Sequence, residues 1–342
     1  MRKFSFHSKI DSSQKALQPT TKGALVEKMS QILKLRCPLD GGTILQSPKG
    51  ASCDLCKYPI PFLSNGNREI PDLRYLDKTI DIRLSFTIPQ TPLQTGNVAQ
   101  FGIATGTDFQ CISRENIRKL YGTKLQKESL YYIDRIQKQV GTNASILDLG
   151  CGNGGNKRYL ESIGFHNIIS VDYMASGADY LVDVHRLPFA AESFDMILTT
   201  ATLEHFYNPF IAFLEMSRVL KNNGGLIASG SFWESWHGNS CFHFSPGGIS
   251  LLCQFAGLVL SDVWSGWGFI PSISSHALGL GRFKRLTYWL QTLFDLSMEY
   301  SFGAEASKIH KFRTSGSFGL FAQKKYADNG DGRLIPNAVF DQ

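Results

Sequence analysis

The stretch ILDLGCGNGG, residues 146–155, places one carboxylate two residues ahead of a run of glycines. The run fits two patterns. Gly150, Gly152 and Gly155 fit G-x-G-x-x-G, a dinucleotide fingerprint, and Asp148, Gly150, Gly152 and Gly154 fit acid-x-G-x-G-x-G. Either pattern turns the chain sharply and lets backbone approach a ligand. Asp172 follows Gly150 by 22 residues, at the end of the next apolar run. There a carboxylate can accept hydrogen bonds from ribose hydroxyls with either cofactor. Asp148 breaks the tie: it can face a cationic amino-acid group, whereas its charge is unhelpful beside a pyrophosphate. Asp183, in DVHRLPF, is placed to accept from an exocyclic adenine amine. Cys151, between the glycines, reads as a small residue tolerated in the loop rather than a redox thiol.

Two further groups of residues could do chemistry. His205, His237 and His243 fall after apolar strand-like runs, and an imidazole that titrates near neutrality suits a general base. The stretch SFWESWHGNSCFHFSP gathers His237 and His243 with Trp233 and Trp236 and is expected to face substrate. Leu203-Glu204-His205 fits equally a helix entry packed on a sheet. The other group is Cys37, Cys53 and Cys56. Cys53 and Cys56 form C-x-x-C, and Asp40 takes the second place of the knuckle C-P-L-D. Four such ligands would hold zinc tetrahedrally; with one sulfur replaced by a carboxylate, a metal-free ribbon is the alternative.

The elements that must position these residues alternate. SILDL, NIISVD, YLVD, FDMILTTA, LIASGSF, LVLSDVW and GSFGLFAQKK read as strands. Residues 153–162, NPFIAFLEMSRVLK and PGGISLLCQFAG read as helices, the second capped by Asn208 with Pro209 in its first turn and stopped by NNGG. Residues 115–139 carry helical spacing ahead of the first strand. Such alternation predicts an α/β fold with a doubly wound, mostly parallel sheet. The expected organisation is a basic tail over 1–30, a ribbon-like module over 31–76, a linker over 77–114, a catalytic domain over 115–326 and a tail over 327–342. A helical insertion occupies 267–312. Its stretch RFKRLTYWLQTLFDL puts Phe283, Leu286, Trp289, Leu290, Leu293 and Phe294 on one stripe, with Gln291 largely off it. That stripe reads as core packing, as a cap over an acceptor pocket, or as a membrane-surface helix.

Taken together, ILDLGCGNG, VD, DVHRLPFAAESFDMIL, LEHFYNPFIAFLEMSRVLKNNGG and HFSPGGISLLCQFAGLVL closely resemble class I S-adenosylmethionine-dependent methyltransferases of the type-11 group. The resemblance spans about residues 115–325. It implies a Rossmann-like, seven-stranded sheet with a reversed final hairpin. It implies that Asp148, Gly150, Cys151, Gly152 and Gly154 lie by the methionine moiety, Asp172 and Tyr173 by the ribose, Asp183 and the backbone of Val184 by the adenine, and Thr200 by the sulfonium. Residues 173–179, joining the second and third strands, are too few for a full crossover helix. The cysteine stretch resembles zinc-ribbon-like modules related to methyltransferase activators, keeping Tyr58-Pro59-Ile60 and Ile70-Pro71-Asp72-Leu73, and is expected to stand separate from the domain.

Charge and composition narrow the function. Of the net charge of +6, residues 1–36 carry all, with eight Lys/Arg against Asp11 and Glu27, so the remaining chain is neutral. A neutral body speaks against a nucleic-acid acceptor. The expected acceptor is a small molecule, lipid or saccharide; an RNA or tRNA methyltransferase and a non-catalytic cofactor-binding protein are the alternatives. No apolar run approaches the length of a membrane span, although contact with a membrane surface stays open. The opening MRKFSFHSKI lacks an apolar segment, and seven cysteines show no pairing framework, so the expected location is cytoplasmic.

Overall fold

The computed structural model describes residues 35–47, 50–65, 68–74, 102–103, 120–123, 125–276 and 284–325. The expected tails over 1–30 and 327–342, and most of the linker over 77–114, lie outside the described residues.

The cysteine module is built from two antiparallel hairpins, β1 (Ile44–Ser47) with β2 (Gly50–Cys53) and β3 (Phe62–Asn65) with β4 (Arg68–Pro71). Two-stranded hairpins are marginal alone. These borrow their core: Leu35, Ile44, Ile60 and Leu73 are buried in one cluster with Val182, Leu187 and Phe189 of the main domain. The Arg36 amide donates to the Pro188 carbonyl at 2.9 Å and the Leu73 amide to the Leu181 carbonyl at 2.8 Å. The module is therefore not the separate unit that the sequence suggested.

The main sheet holds eight strands. They are β5 (Gly102–Ile103), β6 (Ser145–Leu149), β7 (Asn167–Asp172), β8 (Tyr180–Leu181), β9 (Phe194–Thr199), β10 (Leu220–Ser231), β11 (Leu258–Ser265) and β12 (Ser317–Lys324), in the spatial order β8-β7-β6-β9-β10-β12-β11-β5. Strands β6 to β10 are parallel, and β12 runs antiparallel between β10 and β11. This is the seven-stranded order with a reversed final hairpin, extended by the two-residue β5 from the linker. Helices α1 (Lys127–Val140), α2 (Gly155–Ser162), α3 (Pro209–Val219) and α4 (Pro246–Phe255) accompany it. Asn208 caps α3 as expected, its Oδ1 accepting from the Ile211 amide.

Three local expectations change. The helical stretch expected over 115–139 is broken in two: Leu120 and Tyr121 are helical, Gly122 turns the chain at φ 71°, and α1 starts at Lys127, while residues 115–119 lie outside the described residues. Strand β8 has two residues, and Asp183 caps a 3-10 turn instead of ending it. Helix α3 ends before NNGG, but β10 begins at once with Leu220 instead of after those residues, and its register against β9 shifts between Leu220 and Gly225, with Asn223 at φ 62°. As their small number implied, residues 173–179 form no helix, and the module packs against this connection. Ile70 packs there with Cys151, Ala178 and Leu181.

The insertion holds three helices, α5 (Phe269–His276), α6 (Lys284–Phe302) and α7 (Ala304–Arg313). On α6, Leu286, Trp289, Leu290 and Leu293 are exposed, whereas Thr287 and Gln291 are buried. Gln291 accepts from the Ile270 amide at 2.8 Å and donates to Asp295 at 2.8 Å. The core reading of the stripe fails for these four apolar residues: a polar residue that can satisfy the first turn of α5 is buried, and they are left outside, while Phe294 is half-buried with its ring 5.6 Å from that of His310. Phe283 lies outside the described residues.

Candidate active site

Because β6 to β10 are parallel, their carboxyl ends meet at one edge, where ligands bind in open α/β sheets. A cavity of about 870 Å³ opens there, within the usual range of about 300–1,000 Å³ for small-molecule sites. The glycine loop after β6 forms one wall. Gly150, Gly152 and Gly154 all take positive φ, at 72°, 54° and 75°. A Cβ on Gly150 would lie 2.4 Å from Thr202 Oγ1, whereas one on Gly152 would meet nothing within 4 Å. Gly152 thus offers bare backbone to open space in the cavity wall.

Of the residues expected at the cofactor, Gly150, Cys151, Gly152, Asp172, Tyr173, Asp183, Val184 and Thr200 line this cavity. Asp148 and Gly154 do not. Asp148 is fully buried behind the wall, where its oxygens accept from Asn156 Nδ2 at 3.0 Å and Ser170 Oγ at 3.2 Å. Burial pushes its carboxyl up to about 6, against the pull of those two bonds. The expectation that Asp148 faces a cationic group is replaced by a structural one: it orients Asn156. Asn156 lines the cavity, donates also to Thr200 Oγ1 at 3.2 Å, and accepts from Thr123 Oγ1 at 2.5 Å.

Asp172 accepts from the Gly152 amide at 3.0 Å, the Met174 amide at 3.0 Å and the Ala175 amide at 3.1 Å. A carboxylate has about four acceptor positions, so some capacity remains for a ligand. Asp183 accepts from the His185 amide at 2.9 Å and His185 Nδ1 at 2.5 Å, while His185 Nε2 accepts from the Asn208 amide at 3.1 Å. Those partners fix the imidazole with its proton on Nδ1. Burial works against the Asp183 charge, but the His185 bonds win and hold its carboxyl below the usual range. Cys151 is buried, and its thiol is pushed up by that burial and then by Asp148 and Asp172, so it is no thiolate nucleophile.

The three histidines come together. His205 lines the cavity, its ring centroid 6.0 Å from that of His237, which lies 6.2 Å from that of His243. Glu204, 2% exposed, sits beneath them with Oε1 3.8 Å from His237 Nε2, and its Oε2 has no hydrogen-bond partner. The amides of Cys241 and Phe242 both donate to the Glu204 carbonyl, at 2.6 and 3.1 Å, which ties the tryptophan-bearing segment to this corner. Trp233 and Trp236 are exposed outside the cavity, and none of the described residues of the insertion lines it.

The cysteine cluster also assembles. Cys37, Asp40, Cys53 and Cys56 offer ligand atoms that all lie within 4.8 Å of one another. Cys37 Sγ and Cys56 Sγ are 3.7 Å apart, close to the ~3.8 Å edge of a tetrahedron with 2.3 Å zinc–sulfur bonds. The two knuckles share a device: Cys37 Sγ accepts from the Leu39 amide and Cys53 Sγ from the Leu55 amide. Burial pushes the Cys37 thiol up to about 12 and also raises Cys53. Burial opposes the Asp40 charge, yet the Gly42 amide and the facing thiols hold its carboxyl down to about 2.

Sequence reasoning missed Asn156, Gly177 and Arg74. A Cβ on Gly177 would stand 2.5 Å from the Gly152 carbonyl and the Gly154 amide. Arg74 comes from the module and donates to the Tyr173 carbonyl. Only Asn156 carried a signal, as the amide two residues past the last glycine of the motif.

Residues 147–228 match the family model of the methyltransferase domain. A protein of Encephalitozoon cuniculi named as a methyltransferase is 36% identical over 89 residues, which cover 24% of this chain and 42% of that protein. This chain thus matches less than half the length of that relative. Among solved structures, one from Galdieria sulphuraria named as a sarcosine dimethylglycine methyltransferase is 18% identical. It covers 63% of this chain and 92% of its own, with a TM-score of 0.39. The Haemonchus contortus phosphoethanolamine N-methyltransferase 2, in complex with S-adenosyl-L-methionine, is 15% identical, covering 63% and 60%, with a TM-score of 0.36. The match thus gives residues 147–228 a methyltransferase domain, and the strand order with its reversed final hairpin is the Rossmann-like one expected of class I.

Proposed function

We propose that the chain transfers a methyl group from S-adenosylmethionine to a small-molecule, lipid or saccharide acceptor. The observation that carries the reading is a single cavity lined both by the glycine loop with Asp172 and by His205. The cofactor supplies an electrophilic methyl group on a sulfonium. The chain's own residues position and deprotonate. Asp172 has acceptor capacity left for ribose hydroxyls, and Asp183, fixed by His185, for an adenine amine. Asn156 holds Thr200 at the cavity wall. His205 takes the proton of an acceptor hydroxyl or ammonium, and Glu204 holds the neighbouring His237 in place. The neutral charge of residues 37–342 favours such acceptors over a polyanion.

In the same reading, Cys37, Cys53, Cys56 and Asp40 hold one zinc ion with a structural role, since a site with four protein ligands leaves no open position.

The test is transfer of labelled methyl from the cofactor into a cell extract, with identification of the labelled species. Calorimetry should show binding of S-adenosylmethionine and its demethylated product but not NAD. Tight NAD binding without response to S-adenosylmethionine would overturn the cofactor; label found in RNA would overturn the acceptor class. With the acceptor in hand, His205→Gln should lower kcat about 10²–10⁴-fold at unchanged cofactor affinity.

A further inference from the structure

Helix α6 wears its apolar face outward. The side carrying Thr287 and Gln291 is buried, and α6 packs against α5 and α7. On the open side, Leu286, Trp289, Leu290, Leu293, Leu296 and Tyr300 recur at i, i+3, i+4, i+7, i+10 and i+14. At 100° per residue these six fall within an arc of about 120° and, at 1.5 Å per residue, run for roughly 21 Å. Their exposure ranges from 40% for Leu290 to 95% for Tyr300. Single exposed apolar residues are ordinary on a protein surface; a continuous row marks a contact with something else.

Charge and shape say what. No acid lies in the row: Asp295 is turned toward Gln291 and Lys311, with Lys311 Nζ at 3.2 Å. Over residues 282–313, Arg282, Lys284, Arg285, Lys308, Lys311 and Arg313 stand against Asp295, Glu299 and Glu305, a balance of +3. With residues 37–342 neutral, everything in them outside this segment sums to −3. Within residues 37–342, positive charge therefore concentrates on the segment that carries the apolar row, as it does in the tail over 1–36. The row's only hydrogen-bonding side chains are Trp289 and Tyr300, types that settle where hydrocarbon meets water. Pairing two copies along this ridge would bring two such positive segments together, whereas an anionic surface attracts them.

We propose that α6 docks on an anionic lipid surface, its apolar row buried at the boundary between headgroups and acyl chains and the basic run at its start against headgroup phosphates. The insertion leaves the sheet at the end of β11 and returns at the start of β12, both at the carboxyl edge that holds the cavity. Docking through α6 thus brings the cavity edge near the lipid. The inference stands apart from the methyl-transfer reading, because it is read by binding and not by turnover.

The test is sedimentation of the full chain with vesicles of phosphatidylcholine, alone or with about one-third phosphatidylserine. Binding is expected to the mixed vesicles, at least about tenfold weaker to the neutral ones, and reduced by added salt. Leu293→Glu should abolish it, and reversing Lys284 and Arg285 to glutamate should weaken it strongly. Leu293 is exposed, so thermal unfolding should barely move; if that variant is poorly folded, Leu296→Ser gives the same reading with a smaller change. Failure to bind the mixed vesicles, or binding that survives Leu293→Glu in a folded protein, overturns the proposal. So does a wild-type dimer that Leu293→Glu converts to monomer while vesicle binding is absent, which would assign the row to a second copy.

Discussion

Arg74 reaches from the cysteine module to the residue after Asp172: its Nη1 donates to the Tyr173 carbonyl at 3.2 Å, and its guanidinium carbon lies 5.2 Å from the Tyr173 ring centroid. Asp72 holds the arginine in place through two bonds, from Nε at 2.9 Å and Nη2 at 2.7 Å. A residue of the N-terminal module therefore braces the turn that follows Asp172. Arg74→Ala should loosen that turn and weaken cofactor binding by about 1–2 kcal/mol, the combined scale of a charged hydrogen bond and an exposed cation–π contact. Calorimetry reads the change. The global unfolding temperature should fall little, because the side chain is only partly buried.

The same contact alters what metal removal should do. Purified protein is expected to carry about one zinc equivalent, and Cys53→Ser to lose it. A freely standing module would leave cofactor affinity untouched. Here Ile70 and Leu73 are buried against the domain, and Arg74 follows them directly. Loss of the ion should therefore weaken S-adenosylmethionine binding several-fold and lower the unfolding temperature in parallel. Elemental analysis and calorimetry on one preparation check both; full cofactor affinity in a zinc-free variant would uncouple the two.

How much of this was readable in the sequence differs by element. Short apolar runs and glycine punctuation located most strands between Ser145 and Lys324, because each run is bounded by a local signal, whereas their order in the sheet came from the resemblance. Eight of the ten residues assigned to the cofactor reached the cavity because they lie at or just after the carboxyl ends of the parallel strands. Asp148 was misread because its spacing to the glycines does not reveal depth, and a carboxylate one residue before a strand's end can point behind the sheet. The α6 stripe stayed open between three readings because amphipathicity gives two faces and not which one is inside. The docking of the module was invisible, since contacts between Ile70 and Cys151 or between Arg74 and Tyr173 join positions about a hundred residues apart.

Gly177 tests the short connection between β7 and β8. Its amide donates to the Gly152 carbonyl at 3.1 Å, so the connection lies directly on the glycine loop. An added Cβ would meet main-chain atoms at 2.5 Å, which cannot rotate away as a side chain can. Gly177→Ala should destabilise the fold by about 1–3 kcal/mol, the cost of overpacking, and shift the loop that carries Gly152. A cofactor affinity lowered more than about tenfold, beside a modest fall in unfolding temperature, is the expected outcome; unchanged affinity would show that the loop has room.

Asp148 makes stability depend on pH in a direction opposite to most carboxylates. Its folded value, pushed up to about 6 by burial, lies above the unfolded value of 3.8, so the native state binds the proton more tightly than the unfolded chain. The stabilisation from that proton is complete below the unfolded value and is lost as pH rises through about 6, amounting to roughly 3 kcal/mol at most. Asp148→Asn keeps both partners: the new amide oxygen accepts from Asn156 Nδ2, and the new amide nitrogen donates to Ser170 Oγ, whose hydroxyl can turn to accept. The variant carries no buried charge at this position at any pH. Denaturant unfolding should therefore find it at least as stable as wild type at pH 7, with the loss of stability between about pH 4 and 6 removed. A wild-type curve without that loss, or an Asp148→Asn variant that keeps it, would place the ionisation elsewhere. Cofactor affinity should survive the substitution, because Asp148 acts through Asn156 and does not line the cavity.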